Sequence, residues 1–266
     1  MDIIYPSDIL QNPKPNLKNL TSAQLYTYFQ PLISEEERLI LFYVLQVFVQ
    51  TCLKQSVTFM LYGGSLLGAY RHHGIVPWDD DIDVWVNSSQ KDLLFDALTK
   101  ESGQLFGVHA PRDLQVWKFY WRKSNTLPNH PYKWPYVDIF FFGENSTHIF
   151  DKASKYARDF CFRKSDIFPL DFRPFHGALL PVPCKTKKVL EQNYSPTLCQ
   201  ANDYLHKKES LMPEALRRVL LPCRRLYSLY PFVRRRWRSG GVVYEEKLQE
   251  SKPQTTVAFT SQCGDG

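Results

Sequence analysis

The sequence predicts an α/β or α+β fold, and three observations carry that expectation. Short β-branched and aromatic runs interleave with stretches of helical spacing. Hydrophobic residues make up 44% and charged residues 23% of the chain, which excludes a mostly disordered protein or a fibrous repeat. The length of 266 residues is enough for one large domain or two small ones with a real core, and no internal repeat is visible.

Met1 to Asn19 carries three prolines and no periodicity and reads as an arm, with the arm region closing at residue 33. Ser34 followed by Glu35, Glu36 and Glu37 is a helix N-cap with acids in the first turn, and the helix is expected to reach about Lys54. Val57 to Tyr62 reads as a strand ending at Gly63-Gly64, and Ser65 to Tyr70 as a helix. Ile82 to Val86 alternates as a strand, and Gln90 to Lys100 is an amphipathic helix. Val116 to Trp121 and Tyr136 to Phe142 are strands, and Asp151 to Phe162 is expected to be helical. Pro169 to Pro183 is loop-rich with strand fragments, and Lys187 to Gln192 and Pro213 to Leu220 read as short helices. The main domain then spans residues 34–238, with 204–238 as a basic helical segment. Residues 239–266 read as a poorly ordered tail.

The net charge of +6 is unevenly spread: between Tyr204 and Gly240, ten Lys and Arg stand against two Glu. Such a segment contacts phosphates, acidic membranes or nucleic acid, or is simply solvated. Contact of 204–238 with an acidic membrane is carried as an expectation. Nucleic acid is not expected as a partner: Trp237 alone is no stacking platform beside Arg234, Arg235, Arg236 and Arg238. The six Cys contain no CxxC pair, so buried thiols or one or two disulfides are expected. A metal site built from Cys184, Cys199 and Cys223 with His176 or His206 is the lesser alternative. Met1 to Leu10 lacks the plan of a signal peptide. Leu39 to Leu53 is shorter than a spanning helix and is interrupted by Gln46 and Gln50, so the chain reads as soluble.

The one β–helix junction with tandem glycines, Gly63-Gly64-Ser65, suits a phosphate: backbone N–H groups and the positive helix end face outward, and Ser65 adds a hydroxyl. Neither a P-loop nor a dinucleotide fingerprint fits, because Ala69-Tyr70 follow Gly68 and Ser65 replaces the second glycine. Pro77 to Asp83 is more specific, with carboxylates at Asp79, Asp80, Asp81 and Asp83. Strand alternation points Asp81 and Asp83 the same way, while Ile82, Val84 and Val86 face the core. Paired carboxylates repel unless a cation sits between them, and an oxygen donor set suits Mg²⁺ or Mn²⁺. A calcium loop fails, since Val84 and Gln90 occupy its glycine and glutamate positions. A solvated acidic turn accounts for Asp79 and Asp80 but not for Asp83. Asp138, inside the apolar run Tyr136 to Phe141, needs either a salt bridge or a metal. The order of Gly-Ser turn, Asp-x-Asp strand and later lone Asp is the layout of a metal site for transfer at a nucleotide's phosphates.

Gly63-Gly64-Ser65-Leu66-Leu67-Gly68-Ala69-Tyr70-Arg71 followed by Ile75-Val76-Pro77-Trp78-Asp79-Asp80-Asp81-Ile82-Asp83-Val84 strongly resembles the LicD family. That family includes bacterial phosphocholine transferases and the fukutin and fukutin-related proteins of animals. Val137 to Phe140, Ile167 to Leu170 and the Val182-Pro183 … Leu190 … Tyr194 stretch add support, and the resemblance covers about Glu37 to Glu209. It implies a nucleotidyltransferase-like mixed sheet flanked by helices. It implies transfer of phosphocholine, ribitol phosphate or glycerol phosphate from a CDP-alcohol donor to a glycan or glycoprotein hydroxyl, with release of CMP. By the same carry-over, Asp81, Asp83 and Asp138 are the catalytic metal ligands for Mg²⁺ or Mn²⁺. Gly63, Gly64 and Ser65 form the phosphate turn, and Arg71 is either a phosphate contact or a surface arginine. Ser195 departs from the family's usual Gly after Tyr194. The usual animal membrane anchor is missing, which leaves the compartment open, with the Golgi lumen expected for an animal relative and the cytoplasm otherwise. Two further readings stay open: a true nucleotidyltransferase releasing pyrophosphate, and a non-catalytic scaffold that kept the fold.

Overall fold

A computed structural model describes residues 20–111, 114–250 and 252–263. Residues 1–19, the greater part of the expected arm, lie outside them. Residues 20–33 do not form an arm: Thr21 caps a helix α1 (Ser22–Phe29) through a reciprocal capping box with Gln24. Leu25 and Phe29 of α1 are buried against Trp78, Leu221 and Phe232. The second helix, α2 (Glu35–Lys54), begins as expected at Ser34, which exchanges hydrogen bonds with Glu37. Its buried residues Leu41, Val44, Leu45, Phe48 and Cys52 recur at helical spacing and form one stripe in the main core.

The central sheet is mixed. After α2 come β1 (Phe59–Leu61), α3 (Gly63–His72), β2 (Ile82–Asn87), α4 (Lys91–Ser102), β3 (Phe106–His109), β4 (Val116–Thr126), β5 (Lys133–Glu144), β6 (His148–Asp151) and β7 (Cys161–Arg163). The strand order is β1-β2-β5-β4-β3, with β6 and β7 continuing from the far end of β5. Only β2 and β5 run parallel; the other pairs are antiparallel. The mixed sheet flanked by helices is therefore as the sequence predicts. The helix expected over Asp151 to Phe162 is absent. Asp151 ends a strand and accepts a hydrogen bond from the Tyr62 hydroxyl at 2.8 Å, while Phe160 and Phe162 pack into the core from turn and strand.

The chain continues through a short α5 (Lys164–Ile167), the hairpin β8 (Asp171–Phe175) and β9 (Ala178–Val182), and α6 (Thr186–Asn193). The segment 204–238, expected to be helical, instead folds into small hairpins and 3₁₀ turns. β10 (Leu198–Gln200) pairs with β13 (Leu220–Pro222) across the Cys199–Cys223 disulfide, and β11 (Tyr204–Leu205) pairs with β12 (Ser210–Leu211). Pro213 to Leu220 holds a single 3₁₀ turn at Glu214–Leu216.

The described residues of the tail, 239–250 and 252–263, are likewise ordered. β14 (Phe232–Ser239), β15 (Val242–Leu248) and β16 (Thr255–Thr260) form an antiparallel sheet, and the Cys184–Cys263 disulfide ties its end to the segment after β9. On β15, Val243 and Glu245 alternate inward. The Glu245 carboxylate is fully buried and accepts from Arg173 at 2.7 Å and Arg236 at 2.8 Å, and pairs with His73 Nε2 at 2.6 Å. The two disulfides consume Cys184, Cys199 and Cys223, so the cysteine metal site is ruled out for them.

Burial opposes the Glu245 charge, but the His73 hydrogen bond and the Arg173 and Arg236 charges outweigh it and lower its pKa from 4.5 to about 2. Its contribution to stability is complete above the unfolded value and is lost as pH falls from about 4.5 through about 2. Acid titrations of stability should show this loss in the wild type, and Glu245→Gln should flatten it. An unchanged acid limb in the variant would refute the assignment.

Candidate active site

The register of the sheet builds the site. In the parallel pair, Asp83 on β2 stands opposite Asp138 on β5. β1 pairs with the other edge of β2, so the turn after β1 arrives beside Asp83, and the Tyr62 N–H donates to the Asp83 carbonyl at 3.2 Å. The turn opens directly into α3. Ser65 is turned inward: its hydroxyl oxygen accepts from the Asp83 N–H at 2.8 Å, so it braces the Asp-x-Asp strand instead of facing outward.

The glycines make this approach feasible. Gly63 has a φ of +52°, and a Cβ there would lie 3.2 Å from Asp83 Oδ2 and 3.5 Å from the Tyr194 hydroxyl. A Cβ on Gly64 would lie 3.1 Å from Asp79 Oδ2. Gly63→Ala should therefore lower stability by about 1–2 kcal/mol through the left-handed backbone alone, and should also displace the Asp83 carboxylate. Thermal melts and turnover measured together check this; a variant with wild-type values for both contradicts it.

Two overlapping acidic groups result: Asp81, Asp83 and Asp138, and Asp79, Asp80, Asp81 and His206, with the potential ligand atoms of each group within 4.8 Å of one another. Burial first, then the neighbouring carboxylates, raise the pKa values of Asp79, Asp81 and Asp83. Six carboxylates, counting Asp80 and Glu209, are faced by Lys118 and His206. A buried array of oxygen donors with that excess of negative charge fits a hard divalent cation such as Mg²⁺ or Mn²⁺. Asp138 is also salt-bridged: Lys118 Nζ donates to its two oxygens at 2.8 and 3.2 Å, and lies 3.7 Å from the Tyr136 ring centre. The salt bridge and the acidic cluster, opposed in the sequence reading, thus coexist.

Other expected residues are placed differently. Asp80, read as solvated, is fully buried and accepts from His206 Nδ1 at 2.8 Å and from the Lys207 N–H at 3.0 Å. Asp79 accepts from Asn202 at 2.7 Å. Arg71, at the far end of α3, is buried; it donates to the Leu198 carbonyl at 3.1 Å and stands over Trp78 and Phe232. That is a packing role, not a surface or phosphate-facing one. His72 and His73, read as a polar turn, are buried too.

Sequence reasoning missed Asn202 and Glu209 and did not place His206 with the aspartates. All three come from the β11–β12 hairpin region, more than a hundred residues after the Asp-x-Asp strand. Burial opposes the His206 charge, but the Asp80 hydrogen bond and the Asp80 and Asp138 charges raise its pKa to about 9. Glu209 accepts from the hydroxyls of Tyr204, at 2.9 Å, and Tyr136, and lies 3.7 Å from Lys118. Their signal in the sequence is a run of polar residues without helical periodicity, which begins at Asn202 and continues into the segment 204–238 read as helix.

Residues 56–185 match the model of the family described as LicD/FKTN/FKRP, nucleotidyltransferase domain. The chain is 31% identical over 83 residues to the lipopolysaccharide cholinephosphotransferase LicD of Haemophilus influenzae, covering 31% of this chain and 31% of that protein. It is 30% identical over 162 residues to the human ribitol 5-phosphate transferase FKRP, covering 56% of this chain and 30% of that protein. It is 25% identical over 159 residues to the mouse ribitol-5-phosphate transferase FKTN, covering 58% and 32% respectively. The matched part thus spans about a third of the length of these relatives.

Proposed function

Residues 56–185 place the chain in the LicD family, and from that premise we propose that it transfers a phospho-alcohol from a CDP-alcohol to a glycan hydroxyl and releases CMP. The observation that carries the reading is the register of Asp83 against Asp138 beside the Gly63-Gly64 turn. Asp81, Asp83 and Asp138 would hold Mg²⁺ or Mn²⁺. When bound, that ion supplies positive charge against the donor's diphosphate and the departing CMP.

The chain's own groups do the rest. The first turn of α3 would present backbone N–H groups to diphosphate oxygens, and its two glycines let that turn lie close against Asp83 and Asp79. The acceptor hydroxyl oxygen bonds to the phosphorus that carries the alcohol, and the bond from that phosphorus to the CMP oxygen breaks. The hydroxyl proton passes to a carboxylate oxygen of Asp138, which Lys118 holds in place. Catalysis of this kind is positioning and charge neutralisation.

Two disulfides among the described residues favour an oxidising compartment. No helix among the described residues is long and apolar enough to cross a membrane.

Ligand linkage tests the donor site. CDP-ribitol, CDP-choline and CDP-glycerol are each titrated with Mn²⁺ into the wild type and Asp83→Asn. At least one donor should raise the melting temperature of the wild type only, because binding to the folded state alone stabilises it. No shift with any donor, or an equal shift in the variant, would count against the reading.

A further inference from the structure

A second cleft, of about 380 Å³, lies between the β8–β9 hairpin and the β15–β16 strands. It sits at the C-terminal end of α3, while the carboxylate cluster sits at the N-terminal end. Ten helical residues separate the two, about 15 Å. Its base is formed by His73 and His176, which are fixed against each other: the His176 N–H donates to the His73 carbonyl at 2.8 Å, and the Ile75 N–H donates to His176 Nε2 at 2.8 Å. The His176 ring fills the space that a Cβ on Gly74 would occupy. The cleft is therefore preformed.

Three features describe its occupant. Lys247 lines the wall, partly buried, and no carboxylate pairs with its ammonium among the described residues. His73 is 6% exposed and is a fixed part of the base: its Nε2 is engaged with Glu245, and its Nδ1 is closed off from the cleft. Glu245 is itself offset by Arg173 and Arg236, so with Lys247 the surroundings keep an excess of positive charge. Pro174, Leu179 and Val257 supply apolar wall and Thr255 a hydroxyl.

We propose that this cleft is a second ligand site, separate from the carboxylate cluster, for a hydroxylated organic anion of the acidic-sugar class. Lys247 meets the anionic oxygens, the Thr255 hydroxyl meets a ligand hydroxyl, and the ring lies against the apolar wall. A uronic acid and a sugar phosphate offer the same chemistry, so both are probes.

Calorimetric titrations with glucuronate, glucose 6-phosphate and glucose are run in EDTA, where the metal-free carboxylate cluster repels anions. Saturable millimolar binding of at least one of the two acids is expected, with glucose at least tenfold weaker. Which acid binds assigns carboxylate or phosphate as the preferred anion. Lys247→Met should weaken binding at least tenfold while Asp83→Asn leaves it unchanged. Leu179→Trp, at an exposed position on the cleft rim, should block binding without disturbing the buried ion pairs. The proposal is overturned if neither acid binds, if glucose binds equally well, or if both cleft variants bind like the wild type. Loss of binding in Asp83→Asn would assign the anion to the carboxylate cluster and likewise overturn it. None of these outcomes depends on transferase activity.

Discussion

Asp83→Asn is expected to lower turnover by about 10³-fold or more while the protein remains folded. Asp81→Asn should do the same. The two carboxylates belong to one group with Asp138, and burial and mutual repulsion raise their pKa values. Replacing one with a neutral isostere removes a repelling charge, so the metal-free variant should melt at or above the wild-type temperature. Melts in EDTA, circular dichroism and turnover with added Mg²⁺ or Mn²⁺ check both halves. Near-normal turnover in either variant would show that the cluster is not the reacting centre.

The second large effect lies far from that centre. Glu245→Ala leaves Arg173 and Arg236 without the carboxylate they share, and takes from His73 the partner of its Nε2. Breaking one side of a buried ion pair costs about 3–5 kcal/mol, and for a chain of this size that lowers the melting temperature by roughly 6–20 °C. Deleting residues 241–266 should cost at least as much, since it removes β15, β16 and the Cys184–Cys263 disulfide. Melting of the truncated chain at the wild-type temperature would contradict the placement of the C-terminal sheet.

The contrast between these two regions explains what was legible in the sequence. An acid between Ile82 and Val84, and another inside Tyr136 to Phe141, conflict with their apolar surroundings, and such a conflict marks a site. The Gly63-Gly64 pair is visible for the same reason, as glycines at a strand–helix junction. The parallel pairing that puts Asp83 opposite Asp138 is a tertiary fact, as is the return of His206 to Asp80 across 126 residues. Neither can be read from local pattern.

The C-terminal sheet departs from the poorly ordered tail that the sequence predicts, although its signals are present. Gly240-Gly241 is a hairpin turn between the basic strand and Val242 to Leu248, whose residues alternate inward and outward. Charged residues obscured the pattern, because Glu245 is a core residue only once Arg173 and Arg236 are beside it. The aromatic-rich stretch Asp151 to Phe162 failed as a helix because its hydrophobic residues are used individually, Phe160 and Phe162 entering the core from a turn and a short strand.

The bond that is broken tests the central claim most directly. A nucleotidyltransferase is attacked at the α-phosphate of a nucleoside triphosphate and releases pyrophosphate, whereas the proposed reaction releases CMP from a CDP-alcohol. The wild type and Asp83→Asn are incubated with Mn²⁺, an acceptor glycan and each CDP-alcohol or nucleoside triphosphate in turn, and the products are followed by phosphorus NMR. The account predicts CMP together with a phosphodiester on the glycan, from at least one CDP-alcohol, with no pyrophosphate and no reaction in the variant. Pyrophosphate from a nucleoside triphosphate, with no CMP from any CDP-alcohol, would contradict it.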